Sequence, residues 1–181
     1  MLKPNNSWKW YFDDSCQSLM LDLGHDMVFR VQMPAKDLVP DAYISNPFTV
    51  DDASLFQTFN EAVRYLPLSG PRKAELALNA VAAYRYHKPI LPKSWFFENL
   101  SEGYEPEMGE LVMLQTEYSA APFLLVENAG TASLCMYAGE ETFQLDGRKS
   151  LDFCQPIKVM NDRVAVVSAQ MLADPSYALV G

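Results

Sequence analysis

The chain has 181 residues, 49% of them apolar, with 14 basic side chains against 23 acidic ones and a formal net charge of −9. That mixture belongs to a globular protein with a core and excludes a disordered or low-complexity chain. So acidic a chain is also a poor match for general nucleic-acid binding or for an anionic membrane surface.

Taken in order, the first eight residues lack the apolar run of a signal peptide. Trp8, Trp10 and Phe12 then alternate with polar neighbours, Asp13-Asp14-Ser15 supplies turn chemistry, and Leu19, Leu21 and Leu23 alternate in turn. After Gly24-His25-Asp26 comes a third set, Met27, Phe29, Val31 and Met33. Period-2 runs joined by short turns predict an antiparallel meander. Thr49 is placed to cap a helix beginning near Asp51, whose apolar stripe is Leu55, Phe56, Phe59, Ala62, Val63 and Leu66. A second helix is predicted after Ser69-Gly70-Pro71, ending near His87 before Pro89. Its expected inner face is Ala74, Ala77, Leu78, Ala80, Val81 and Tyr84, with Glu75, Asn79 and Tyr86 as a polar stripe.

Residues 101–110 are acidic, contain two Gly and one Pro, and show no periodicity, so they read as a linker or long loop. The charge balance shifts here: residues 1–100 hold 10 basic and 11 acidic side chains, residues 101–181 hold 4 and 12. Short strand-like runs follow at 111–114, 123–126, 132–138, 142–145, 157–160 and 164–167, with Asp146-Gly147 and Asn161-Asp162 as turn pairs. That spacing suggests a small barrel or sandwich. The expected fold is therefore α+β: a meander and two helices form a domain over 1–100, and a small barrel or sandwich forms a second over 101–181. The apolar run at 120–126 is far short of the ~20 residues of a membrane helix, so no membrane insertion is expected.

Catalytic signatures are weak. Glycine-rich phosphate loops and the G-x-S-x-G elbow are missing from the sequence. His25 and His87 stand apart, and Cys16, Cys135 and Cys154 lack the spacing of metal ligands. These cysteines read as reduced thiols of a cytosolic protein. The acid pairs Asp13-Asp14, Asp51-Asp52 and Glu140-Glu141 suit a turn, a helix start and a solvated loop. No catalytic residue, metal or cofactor is expected. One window differs: from Leu76 to Phe97 there is no acidic residue, while Arg85, Lys88 and Lys93 interleave with Tyr84, Tyr86, Trp95, Phe96 and Phe97. Cations suit a helix C-terminus and aromatics fill cores, but Arg and aromatics are also enriched at the centres of protein interfaces.

Several short pieces, in their order, resemble a known family. They are Lys3-Pro4 with Trp8-Lys9-Trp10-Tyr11, Met20-Leu21-Asp22-Leu23, Phe29-Arg30 and Val50-Asp51-Asp52-Ala53. Further on stand Lys73-Ala74-Glu75-Leu76, Lys88-Pro89, Pro92-Lys93-Ser94-Trp95 and Ile157-Lys158-Val159-Met160-Asn161-Asp162-Arg163. Together they resemble the ZapC family of gammaproteobacterial cell-division proteins, from about residue 3 to about residue 165. Residues 101–121 and those after Val164 depart from the pattern.

The resemblance implies a non-enzymatic cytoplasmic regulator at midcell. It would bind FtsZ, the tubulin-like GTPase, bundle its filaments laterally, lower its GTPase activity and so stabilise the division ring. It also implies an α/β domain followed by a β-barrel-like one. Both partners are acidic, so attraction must come from a local basic patch around an apolar centre. The expected contacts are Arg85, Lys88 and Lys93, with Trp95 as anchor, joined by Lys158 and Arg163. Bundling requires two contacts per molecule, and the expectation is a bivalent monomer that gains from filament avidity. A small-molecule-binding protein or enzyme is the alternative, and would need a deep pocket with convergent polar groups.

Overall fold

The computed structural model describes residues 2–100 and 103–167, so Ser101, Glu102 and the stretch 168–181 lie outside the described residues. The first sheet is antiparallel and built from β1 (Lys9–Asp13), β2 (Ser18–Gly24), β3 (Met27–Arg30) and β4 (Asn46–Pro47), in the order β3-β2-β1-β4. The pairing sets Trp10 opposite Leu21 and Leu21 opposite Phe29, so the alternating apolar set falls on one face. Trp10, Leu19 and Leu21 are wholly buried there. The Asp13 carboxylate accepts hydrogen bonds from the Ser15 hydroxyl and N–H, which close the first turn and hold its pKa below the usual value. At the second turn Gly24, His25 and Asp26 all take positive φ (78°, 52° and 64°), as a tight reversal requires. The third predicted run is shorter than read. Its strand stops at Arg30, Val31 and Met33 are buried beyond it, and Met27 is half exposed on the sheet edge.

Helix α1 spans Val50–Val63 and begins as the sequence predicts: the Thr49 hydroxyl accepts from the Asp52 N–H while the Asp52 carboxylate accepts from the Thr49 N–H. Phe56, Phe59 and Val63 of its stripe are buried, as is Leu66 just beyond it. Helix α2 spans Gly70–Tyr86, capped by Ser69.

The expected polar stripe of α2 is overturned. Tyr86 and Asn79 are buried, while Tyr84, placed on the inner face, is half exposed. The cause is that α2 packs against α1, the first sheet and the second sheet together, so it buries nearly its whole girth. Its small Ala residues allow this close approach. Asn79 is satisfied, accepting from the Gln32 N–H and donating to the Glu75 carbonyl.

The second sheet contains β5 (Leu111–Gln115), β6 (Ala120–Asn128) and β7 (Ala132–Tyr137). A short hairpin follows, β8 (Phe143–Gln144) with β9 (Ser150–Leu151), then β10 (Pro156–Met160) and β11 (Ala165–Val166). The main order is β10-β7-β6-β5-β11, all antiparallel, and among the described residues these pairings do not close a ring. The antiparallel β character of this half stands as read, as an open five-stranded sheet.

Alternation along β6 and β7 divides two cores. Leu124, Val126, Leu134 and Met136 join the core of the helices and first sheet. Phe123, Leu125, Cys135 and Tyr137 face a second core completed by Phe143, Leu151 and Phe97. Residues 103–110 are loop, as expected, but they are docked. The Gly109 N–H donates to the Leu125 carbonyl, and a Cβ at Gly109 would lie 2.5 Å from the Thr58 methyl of α1.

Candidate functional site

The segment after α2 leaves the first sheet and is sewn onto the second. The Lys88 N–H donates to the Asp37 carbonyl at 2.8 Å, and the Lys93 N–H donates to the Lys158 carbonyl at 2.7 Å. Between them Pro89 and Pro92 restrict the backbone. The 3₁₀ turn Ser94–Phe96 follows. Its side chains point about 120° apart. Phe96 and Phe97 turn into the second core, where Phe97 meets Phe123 edge-on at 6.4 Å. Trp95 turns out and is 71% exposed.

Of the six expected contact residues, four come together here. Lys93, Trp95, Lys158 and Arg163 are joined through one set of bonds. The Ser94 hydroxyl accepts from the Met160 N–H at 2.8 Å, and the Arg163 guanidinium donates to the Ser94 carbonyl at 3.4 Å. Arg163 also pairs with Asp162 at 2.6 Å. Lys93 is exposed and Lys158 half-buried. Lys88 is exposed at the far end of the proline-bounded segment.

Arg85 faces a different set of partners. Its guanidinium pairs with the buried Asp52 carboxylate, donates to the Pro47 carbonyl at 3.0 Å and lies over the Tyr86 ring at 5.0 Å. Sequence reasoning missed two further exposed apolar residues, Leu91 at 83% and Met160 at 36%, the second bonded through its N–H to Ser94.

A groove was also missed. It encloses about 960 Å³ between the β3 edge and the helices, and is lined by Leu23, Met27, Phe29, Phe56 and Leu78. On its rim Arg72 pairs with Glu75 at 2.8 Å and Glu140 at 3.3 Å, Lys73 donates to the Arg64 carbonyl, and the Arg64 guanidinium lies over the Tyr65 ring. The signal was the pair Met27-Val28, apolar residues on an unpaired strand edge. Two of the thiols, Cys135 and Cys154, are buried and not poised for chemistry. Burial pushes the Cys135 thiol up to about 12, and burial likewise raises Cys154. Among the described residues no helix is long and apolar enough to cross a membrane.

Fold and surface together define the class: an α+β chain of two larger antiparallel sheets and a short hairpin around two helices, with an exposed tryptophan on a turn bonded to the second sheet. Comparison with known proteins narrows this class. The family model described as cell-division protein ZapC, N-terminal, matches residues 1–88, and that described as cell-division protein ZapC, C-terminal, matches residues 89–170. The chain belongs to the ZapC family of cell-division proteins.

Its relatives include the cell division protein ZapC of Photobacterium profundum, 55% identical over 181 residues and the whole of both chains. That of Aliivibrio salmonicida is 54% identical over the same span, again all of both chains. That of Vibrio cholerae is 50% identical over 180 residues, 99% of each chain. The similarity therefore extends past the limits of about 3 and 165 read from the sequence.

Proposed function

We propose that the chain binds FtsZ filaments in the cytoplasm at midcell, bundles them laterally, lowers their GTPase activity and stabilises the division ring. It acts as a monomer, without a cofactor and without catalysing a reaction of its own. The observation that carries this reading is Trp95, an aromatic 71% exposed on a turn whose backbone is bonded to β10 through Lys93 and Lys158. A free monomer gains nothing by holding a large aromatic in water, whereas an interface centre uses that arrangement. The lysines supply the local positive charge that an acidic chain needs to approach an acidic filament.

Lateral cross-linking requires a second contact. The apolar groove beside β3 offers one, and weak contacts at both sites become effective through the repeated filament lattice. The groove's lining is mostly apolar, which suits docking of a protein segment better than the convergent polar groups an enzyme pocket needs.

The test is sedimentation of FtsZ polymers in GTP with the wild-type chain, the Lys88→Glu/Lys93→Glu variant and Trp95→Ala. Wild type is expected to co-pellet and enlarge the pellet, with binding weakened at least about tenfold in either variant, as loss of a hot spot of about 2 kcal/mol implies. Equal bundling by all three would place the contact elsewhere. A wild-type chain that stays in the supernatant at every salt concentration would overturn the function.

A further inference from the structure

We propose that Ser94 is a positioning residue for Trp95, acting with Arg163 to preset the angle at which the indole meets a filament. This inference rests on the binding reading above. An exposed tryptophan on a free loop loses rotational freedom when it docks, and that loss weakens binding. Trp95 is spared part of it because the turn that carries it is tied down at the two preceding residues.

Three bonds do this. The Lys93 N–H donates to the Lys158 carbonyl at 2.7 Å, the Met160 N–H to the Ser94 hydroxyl at 2.8 Å, and the Arg163 guanidinium to the Ser94 carbonyl at 3.4 Å. Two of the three pass through Ser94, the residue immediately before the indole. The Ser94 carbonyl also accepts from the Phe97 N–H at 2.9 Å, which closes the turn. Arg163, expected from sequence to touch the partner, thereby takes a different role, because its guanidinium faces the turn and Asp162.

The bond from Met160 to the Ser94 hydroxyl lies at the surface, where water can replace it. Ser94→Ala should therefore leave the fold intact and release the indole, while Ser94→Thr keeps the hydroxyl.

The experiment uses the full chain labelled with 5-fluorotryptophan, with the Trp95 ¹⁹F resonance assigned by its disappearance in Trp95→Ala. In Ser94→Ala that resonance should shift and narrow while those of the buried Trp8 and Trp10 stay in place. FtsZ co-sedimentation should weaken roughly 3- to 10-fold, the range expected for ordering one large side chain on binding. Ser94→Thr should restore both. Wild-type affinity in Ser94→Ala alongside lost binding in Trp95→Ala would overturn the positioning role alone. Wild-type affinity in Trp95→Ala would overturn the binding reading, and this inference with it. Movement of the Trp8 and Trp10 resonances in Ser94→Ala would show a general structural loss and also count against it.

Discussion

Asp52 gathers three donors at one buried carboxylate: the Trp10 indole N–H at 3.0 Å, the Thr49 N–H at 3.0 Å and the Arg85 guanidinium. Those donors come from β1, from the cap of α1 and from the last turn of α2, so one side chain ties three elements together. Removing Arg85 would leave that carboxylate buried without its counter-charge, which costs more than the pair itself contributes. Arg85→Ala is expected to lower unfolding stability by about 3 kcal/mol in urea titrations. FtsZ binding by the folded fraction should be unchanged. An Arg85→Ala variant with wild-type stability and lost binding would return Arg85 to the contact surface. Sequence alone could not separate these roles. A cation in a last helical turn is favourable wherever it points, and its partner Asp52 lies 33 residues away.

At the scale of elements, legibility followed how many sides an element buries. The β1 and β2 alternation and the α1 stripe were readable because each has one buried face and one wet face. Helix α2 was misread at Tyr84, Asn79 and Tyr86 because it buries almost every side, and a helix buried all round carries no amphipathic signal. The hairpin strand β9 (Ser150–Leu151) was missed because Leu151 stands as a single apolar residue between Ser150 and Asp152.

The loop 103–110 held another feature that composition hides. Gly109 has φ +85° and lies against Thr58 of α1. Gly109→Ala should destabilise the chain by about 2 kcal/mol, from left-handed strain and a clash with the threonine methyl. Adding Thr58→Ser removes the methyl and should recover part of that loss, read as the shift in thermal midpoint. Gly109→Ala with wild-type stability would show that this loop is not docked on α1.

For the whole molecule, the central device is the second sheet, which is buried on both faces. One face completes the core of the N-terminal half through Leu124, Val126 and Met136; the other forms the second core through Phe123 and Leu125. The division at 100/101 read from composition and charge therefore falls within a chain whose two halves share apolar contacts. The β3 groove lies on the N-terminal half and the Trp95 turn is bonded to the second sheet, so both are carried on halves packed directly together. The acid-free window, with cations between aromatics, pointed to the segment that carries Lys93 and the exposed Trp95. The assembly around that segment was not legible, because the bonds from Lys158, Met160 and Arg163 span more than 60 residues.

The most direct test of the account is to place a photo-crosslinking amino acid at position 95, and in a separate variant at the exposed Val50, and irradiate each with FtsZ polymers in GTP. Position 95 is expected to form a covalent adduct with FtsZ while position 50 does not. A chain that co-sediments with the filaments yet gives no adduct from position 95 would contradict the central claim that this aromatic surface meets the filament.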